Sequence, residues 1–175
     1  MDEKIILIVG NSGSGKDTLL KALKNDFNDI NFVRRYITRK PDKNENNYFL
    51  ETSAFSILQN HGFFISSWYA HGNNYGISKS SIKKGANIIS ISRSKIEDFE
   101  SNYKNVITIN ITVSKEVLKT RLEKRARESK EEIENRLNRT YSKINCKNLI
   151  NFDNSSSLEL SIKKFKELIK SLCEI

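Results

Sequence analysis

The chain has 175 residues, a length suited to one domain with one hydrophobic core, and 37% of them are apolar. Charged residues make up 29% and are interspersed among the apolar ones, which excludes an intrinsically disordered chain. A net charge of +9 admits nucleic acid or a phosphorylated substrate as a partner, while no apolar run approaches the roughly 20 residues of a membrane helix.

In chain order, Lys4–Val9 is a continuous β-branched and leucine run, which predicts a strand buried on both faces. Lys16–Phe27 follows as a helix, with Leu19, Leu23 and Phe27 on one face. Phe32–Ile37 reads as a short strand. Tyr48–Leu50 and Phe63–Tyr69 read as strands flanking a helix near Thr52–Asn60. Asn87–Ser92 and Val106–Thr112 are two more apolar strands, with a capping box at Ser94 and Glu97 opening a helix between them. A long helix is expected from Ser114 to Arg127, and a second opens at the capping box Ser129 and Glu132. Asn148–Phe152 is a last strand. Ser156 and Glu159 would cap a C-terminal helix with Leu160, Phe165, Leu168, Ile169 and Leu172 inward. Strands alternating with helices predict a parallel α/β sheet. The stretch Phe32–Tyr75 interrupts that rhythm and reads as an insertion where a second substrate sits.

Ile5–Val9 is too short for a signal-peptide core and runs into a glycine loop, so a cytoplasmic location is expected. Cys146 and Cys173 are isolated in sequence and read as ordinary reduced thiols.

Gly10-Asn11-Ser12-Gly13-Ser14-Gly15-Lys16 fits the phosphate-loop pattern GxxxxGK between a predicted buried strand and an amphipathic helix. Glycines let the backbone curl so that successive N–H groups and the helix N-terminus meet an anionic phosphate. Lys16 reaches the β- and γ-phosphates of ATP. The hydroxyl residue usual after the lysine is Asp17 here, with Thr18 next. Three readings are open: Asp17 binds Mg²⁺ directly or through water, Thr18 or water alone does so, or Asp17 only favours the helix dipole. No strong acidic residue follows the later strands, which points to a small-molecule kinase rather than a motor ATPase.

Arginines cluster in two stretches. Arg121, Arg125 and Arg127 fall on one predicted helix, and Arg136 and Arg139 on the next. Two short arginine-bearing helices suit a lid over transferring phosphates, because the planar guanidinium matches phosphate oxygens. The competing reading is a solvated helix pair neutralised by its glutamates. In the other stretch, Arg34 and Arg35 point to opposite faces of a strand, so at most one joins Arg39. With Tyr48 and Tyr75, such an arginine pair would hold an acceptor phosphate. A nucleic-acid patch lacks any recognised motif. No general base stands out. A phosphate acceptor needs none, since its second ionisation lies near pH 6.

The motifs GNSGSGKDT (Gly10–Thr18), RYITR (Arg35–Arg39), Glu45-Asn46, SWYAHGNNYG (Ser67–Gly76), SRS (Ser92–Ser94), RLEKRARES (Arg121–Ser129) and EIENRL (Glu132–Leu137) span nearly the whole chain. In them the chain resembles the guanylate kinase-like P-loop kinases, and among these the PhnN family of ribose 1,5-bisphosphate phosphokinases, which also carries the unusual Asp17. The resemblance implies the P-loop nucleoside triphosphate hydrolase fold, a parallel sheet flanked by helices with a small substrate-binding insertion and a helical lid. It implies a single domain over 1–175, with its core at 1–31, 77–120 and 140–175, an acceptor insertion at about 32–76 and a lid at about 121–139. The implied activity is transfer of the ATP γ-phosphate, with Mg²⁺, to the 1-phosphate of ribose 1,5-bisphosphate. Catalytic roles fall to Lys16, Arg125 and Arg136. ATP contacts fall to Gly10–Thr18 and to Asn151 in the segment Asn151-Phe152-Asp153-Asn154, which matches the loop bordering the ATP base, acceptor contacts to Arg35, Arg39, Tyr48 and Tyr75, and metal contacts to Asp17 and Thr18. Guanylate kinase is the rival activity, yet the guanine-reading positions differ: Tyr36, Ser66 and Asp42 stand where a serine, a glutamate and an arginine are expected. The acid expected after the Asn87–Ser92 strand is missing, with Arg93 nearby instead. Ala126 replaces the glycine usual after the lid arginine. A non-catalytic binding module of the same fold is a further alternative. No nucleic-acid or membrane partner is expected, and the chain is expected to be a monomer or homodimer.

Overall fold

The computed structural model describes residues 2–41, 46–125, 129–138 and 143–173, without the side chains of Arg125, Glu132 and Arg136. Within these residues the elements are β1 (Glu3–Gly10), α1 (Lys16–Lys24), β2 (Asn31–Phe32), β3 (Tyr36–Ile37), β4 (Tyr48–Phe49), α2 (Thr52–Asn60), β5 (Phe64–Ala70) and β6 (Asn73–Ser78). They continue with β7 (Gly85–Ser90), α3 (Ile96–Glu100), β8 (Asn105–Thr112), α4 (Lys115–Arg125), α5 (Lys130–Leu137), β9 (Leu149–Asp153) and α6 (Leu158–Cys173).

The main sheet is fully parallel in the order β2-β7-β1-β8-β9. Its central strand carries the apolar run, and Ile5 to Val9 are all 0% exposed. The pleat divides that run. Ile6 and Ile8 pack with Leu19 and Leu23 of α1 and with Phe165 and Ile169 of α6. Ile5, Leu7 and Val9 pack on the other face with Ile96 and Phe99 of α3 and Ile77 of β6. A strand buried on both faces therefore sits between two helical layers, as a continuous apolar run requires. No described helix is long and apolar enough to cross a membrane.

A second sheet, in the order β4-β3-β6-β5, runs from Tyr36 to Ser78, against an expected insertion of about 32–76. The predicted single strand Phe32–Ile37 is in fact two. Phe32 pairs with Ile88 in the main sheet, and Tyr36 pairs with Tyr48 and Gly76 in the second. Strand β6 was not predicted, because Asn73, Asn74 and Gly76 weaken its strand signal. Gly76 is required there by its neighbour: a Cβ would stand 2.6 Å from the ring of Phe64 on the paired strand.

Local chemistry shifts several expected boundaries. Helix α1 stops at Lys24, and Leu23 O accepts from both Asp26 and Phe27 N–H as the chain turns away. Ser94 caps no helix; a 3-10 turn over Arg93–Lys95 precedes α3, which starts without a side-chain cap. Helix α6 opens one residue later than expected, with Ser157 Oγ accepting from Leu160 N–H at 3.4 Å. Leu160 is 43% exposed rather than inward, while Phe165 and Ile169 are fully buried. Cys146 and Cys173 are free, and burial pushes both thiols above their ordinary pKa, the opposite of an activated nucleophile.

Candidate active site

Strand β1 ends at Gly10, and the next residues curl back at the carboxyl edge of the sheet before α1 begins. This is where ligands bind in open parallel α/β folds. Ser14 N–H donates to Asn11 O at 3.1 Å and closes the loop. Gly15 is left-handed at φ 89° and caps α1 without a side-chain hydrogen bond. A Cβ there would strike the amide of Asn154, so the position takes only glycine. Lys16 Nζ donates to Gly10 O at 2.7 Å and Asn11 O at 3.0 Å, which holds the ammonium over the rim of the loop.

The loop is braced from behind by residues far away in sequence. Asn154, 3% exposed, donates from Nδ2 to Ser14 O at 2.6 Å. Arg121 of α4 donates to the same carbonyl at 3.3 Å and to Asn154 O at 2.8 Å. Ser14 itself is 0% exposed. Thus one loop carbonyl is held by an amide and a guanidinium, and Arg121 serves the loop's rear rather than an open face.

A cleft of about 500 Å³ lies in front of the loop. Its wall brings Gly10–Gly13, Gly15, Lys16, Asp17 and Thr18 together with Arg35, Arg39 and Tyr75. Trp68 and Arg93 also line it. The Trp68 and Tyr75 rings, both on the cleft wall, stack on each other at 5.4 Å with planes 6° apart, which fixes both side chains at the second-sheet side of the cleft. Arg35 lies 5.9 Å from the Tyr75 ring. Partial burial lowers the Lys24 ammonium pKa, and the Arg34 and Arg35 charges lower it further, the sign of a locally positive field. A neighbouring cavity of about 920 Å³ under α3 shares Ser92 and Arg93 but none of the phosphate loop.

Other expected site residues stand elsewhere. The Tyr48 ring stacks on Tyr36 at 4.8 Å and carries the Arg34 guanidinium at 3.7 Å, outside the cleft wall. Arg34 and Arg35 lie in the link between β2 and β3 rather than in a strand, and their guanidinium groups go to different rings, Tyr48 and Tyr75. Asn151 lies on exposed β9, where its Oδ1 accepts from Asn110 Nδ2 at 2.9 Å. The Arg125 and Arg136 side chains, with all of Asp42, Ala126, Arg127 and Arg139, lie outside the described residues. Ser66, where the resemblance leads one to expect a glutamate, is 3% exposed and donates to Asp98 Oδ2 at 2.8 Å. The Asn154–Arg121 brace and Trp68 were missed in the sequence. Trp68 falls inside the motif Ser67–Gly76 and Asn154 inside the segment Asn151–Asn154 read as bordering the ATP base, but nothing in either announces its contact, for Asn154 a partner 140 residues away.

Comparison with known proteins agrees with this layout. The guanylate kinase family model matches residues 2–172. A protein of Bradyrhizobium diazoefficiens named ribose 1,5-bisphosphate phosphokinase PhnN is 31% identical over 175 residues, covering 96% of this chain and 88% of the relative. One of the same name from Rhodopseudomonas palustris is 37% identical over 146 residues, covering 79% and 75%. The crystal structure of guanylate kinase from Anaplasma phagocytophilum superimposes with a TM-score of 0.62 at 20% identity, over 99% of this chain and 88% of that one, a likeness of fold. With its phosphate loop facing a second-sheet cleft, the chain belongs to the guanylate kinase family and, within it, to the PhnN ribose 1,5-bisphosphate phosphokinases.

Proposed function

We propose that the protein transfers the γ-phosphoryl group of ATP to the 1-phosphate of ribose 1,5-bisphosphate, forming 5-phospho-alpha-D-ribose 1-diphosphate and ADP. The observation that carries this is the shared wall of one cleft, where the phosphate loop stands with Arg35, Arg39 and Tyr75. A donor phosphate on the loop and an acceptor phosphate on the arginines would meet there. An acceptor oxygen attacks the γ-phosphorus as the bond to the ADP oxygen breaks. The acceptor phosphate is already ionised at neutral pH, so no protein base has to remove a proton.

The chain's own residues bind and orient. Loop N–H groups and Lys16 hold the donor phosphates, and arginines stabilise the charge on the transferring group. Asp17 and Thr18 line the cleft with a carboxylate and a hydroxyl, donors that fit a hard cation. Among the described residues no cluster of three His, Cys, Asp or Glu could hold a metal alone. Mg²⁺ typically takes one or two protein oxygens plus substrate phosphates, and these two residues would supply them. Bound there, it would neutralise developing charge on the β- and γ-oxygens. In this reading residues 1–175 act as one domain. Arg125 and Arg136 close over the phosphates from a lid at about 121–139 and Asn151 borders the ATP base, whereas Tyr48, expected on the acceptor side, is held by Tyr36 and Arg34 outside the cleft wall and takes no part.

The test is ADP formation from MgATP with either ribose 1,5-bisphosphate or GMP. The sugar bisphosphate is expected to turn over and GMP to fail; faster use of GMP would sink the reading. Lys16→Ala is expected to lose nearly all activity, and full activity in that variant would show the loop assignment to be wrong.

A further inference from the structure

Trp68 and Tyr75 stand directly opposite each other on β5 and β6, so their side chains share one face of the second sheet. Both line the cleft in front of the phosphate loop. The reaction proposed above places the acceptor phosphate on Arg35, Arg39 and Tyr75, so the rest of the acceptor lies near Trp68. We propose that Trp68 determines acceptor specificity: its indole takes the stacking position on Tyr75 that a nucleobase would need, which leaves room for a phosphorylated sugar without a base. The inference deepens the bisphosphate reading and rests on it.

The chemistry of the ring supports this role. Indole is a flat bicyclic system similar in size to a purine. The Trp68 and Tyr75 rings lie 5.4 Å apart with planes 6° apart, the stacked arrangement that a base would otherwise make with the tyrosine. That face of Tyr75 is therefore taken. The Arg35 guanidinium, 5.9 Å from the same ring, crowds the tyrosine further. Trp68 is not free to swing aside, because it packs against the apolar layer that contains Ile5, Val9 and Ile96. A base would also find its hydrogen-bond partner on this strand already engaged. Ser66, two residues earlier and on the same face, is 3% exposed and donates its hydroxyl to Asp98 Oδ2 at 2.8 Å. That carboxylate in turn meets Lys95 Nζ at 3.5 Å. Selectivity here comes from a group that obstructs the wrong substrate, one of the two ways in which a site can discriminate.

Trp68 is the chain's one tryptophan, so its fluorescence reports this wall of the cleft alone. In the wild type, ribose 1,5-bisphosphate is expected to change the emission saturably, whereas GMP at the same concentration leaves it unchanged. The second measurement is inhibition by GMP, competitive with ribose 1,5-bisphosphate, in the wild type, Trp68→Ala and Trp68→Phe. Trp68→Ala should lower the inhibition constant for GMP at least about tenfold, the scale on which pocket shape discriminates. Its KM for ATP should stay at the wild-type value. Trp68→Phe, which keeps a smaller stacked ring, should fall between, and it carries the test if the alanine variant melts early. An emission indifferent to the bisphosphate, or a GMP inhibition constant that neither variant lowers, would overturn the role of Trp68, while wild-type turnover of the bisphosphate would leave that reading intact. A wild type that phosphorylates GMP and not the sugar would instead overturn the bisphosphate reading, and this role with it.

Discussion

Removing the Asn154 amide leaves Ser14 O with only the longer contact from Arg121, in a place water does not reach. Losing a buried hydrogen bond of this kind costs about 1–3 kcal/mol. Asn154→Ala is therefore expected to lower the unfolding free energy by about that much and to raise KM for ATP, because the loop loses its rear support. Denaturant unfolding and steady-state kinetics check both. A stable variant with a weakened ATP KM would assign the amide to nucleotide contact instead; unchanged values on both counts would remove the brace altogether. The same residues show what a sequence reveals at this scale. The loop was legible because its seven positions are contiguous and each type has one physical use there. Its brace was not, since Asn154, Arg121 and Ser14 meet only after the sheet and α4 are assembled. Tyr48 was legible as an aromatic of the insertion, but its stacking on Tyr36 and Arg34 depends on a strand pairing no local pattern predicts.

At the scale of elements, α6 separates burial from mere hydrophobicity. Phe165 is 0% exposed and meets Phe152 of β9 at 4.9 Å between ring centroids, so its aromatic face closes the layer over the main sheet. Leu160 is as apolar but 43% exposed. Phe165→Ala is expected to cost about 3–5 kcal/mol, the sum of lost transfer energy and a residual cavity. Leu160→Gln should change stability by less than about 0.5 kcal/mol, as surface substitutions do. Chemical denaturation of the two variants side by side decides the matter, and a comparable loss at Leu160 would restore the inward placement expected from the sequence. That error has a simple cause. Leu160 lies five residues before Phe165, about 140° away around a helix of 3.6 residues per turn, whereas Ser161, four before it, shares the face of Phe165 and Ile169 and is 1% exposed. The Phe32–Ile37 stretch failed for a different reason. Its ends, Phe32-Val33 and Tyr36-Ile37, are strand-like, and the three-dimensional pairing hands one end to each sheet with Arg34 and Arg35 in the link between them.

At the scale of the whole molecule, the +9 net charge and the positive cleft are separate facts with separate consequences. Many of the positive charges are lysines on exposed helix faces, such as Lys163 and Lys170 of α6, which lie away from the cleft wall. Lys166 of the same helix is paired with Asp26. Charges of this kind are screened within about 10 Å at 0.1 M salt. Those inside a cleft with low-dielectric walls focus the field on an arriving anion and raise its encounter rate. A polyanionic acceptor should therefore feel Arg39 far more than the helix lysines. The kcat/KM for ribose 1,5-bisphosphate is expected to fall about tenfold or more as salt rises from about 0.02 M to about 0.5 M. In Arg39→Gln the residual activity should depend much less steeply on salt. In the double variant Lys163→Gln with Lys170→Gln, whose net charge drops further, the slope should match the wild type. If the helix lysines set the slope instead, capture depends on total charge, and the arrangement of arginines around the phosphate loop would matter only after the substrate has arrived.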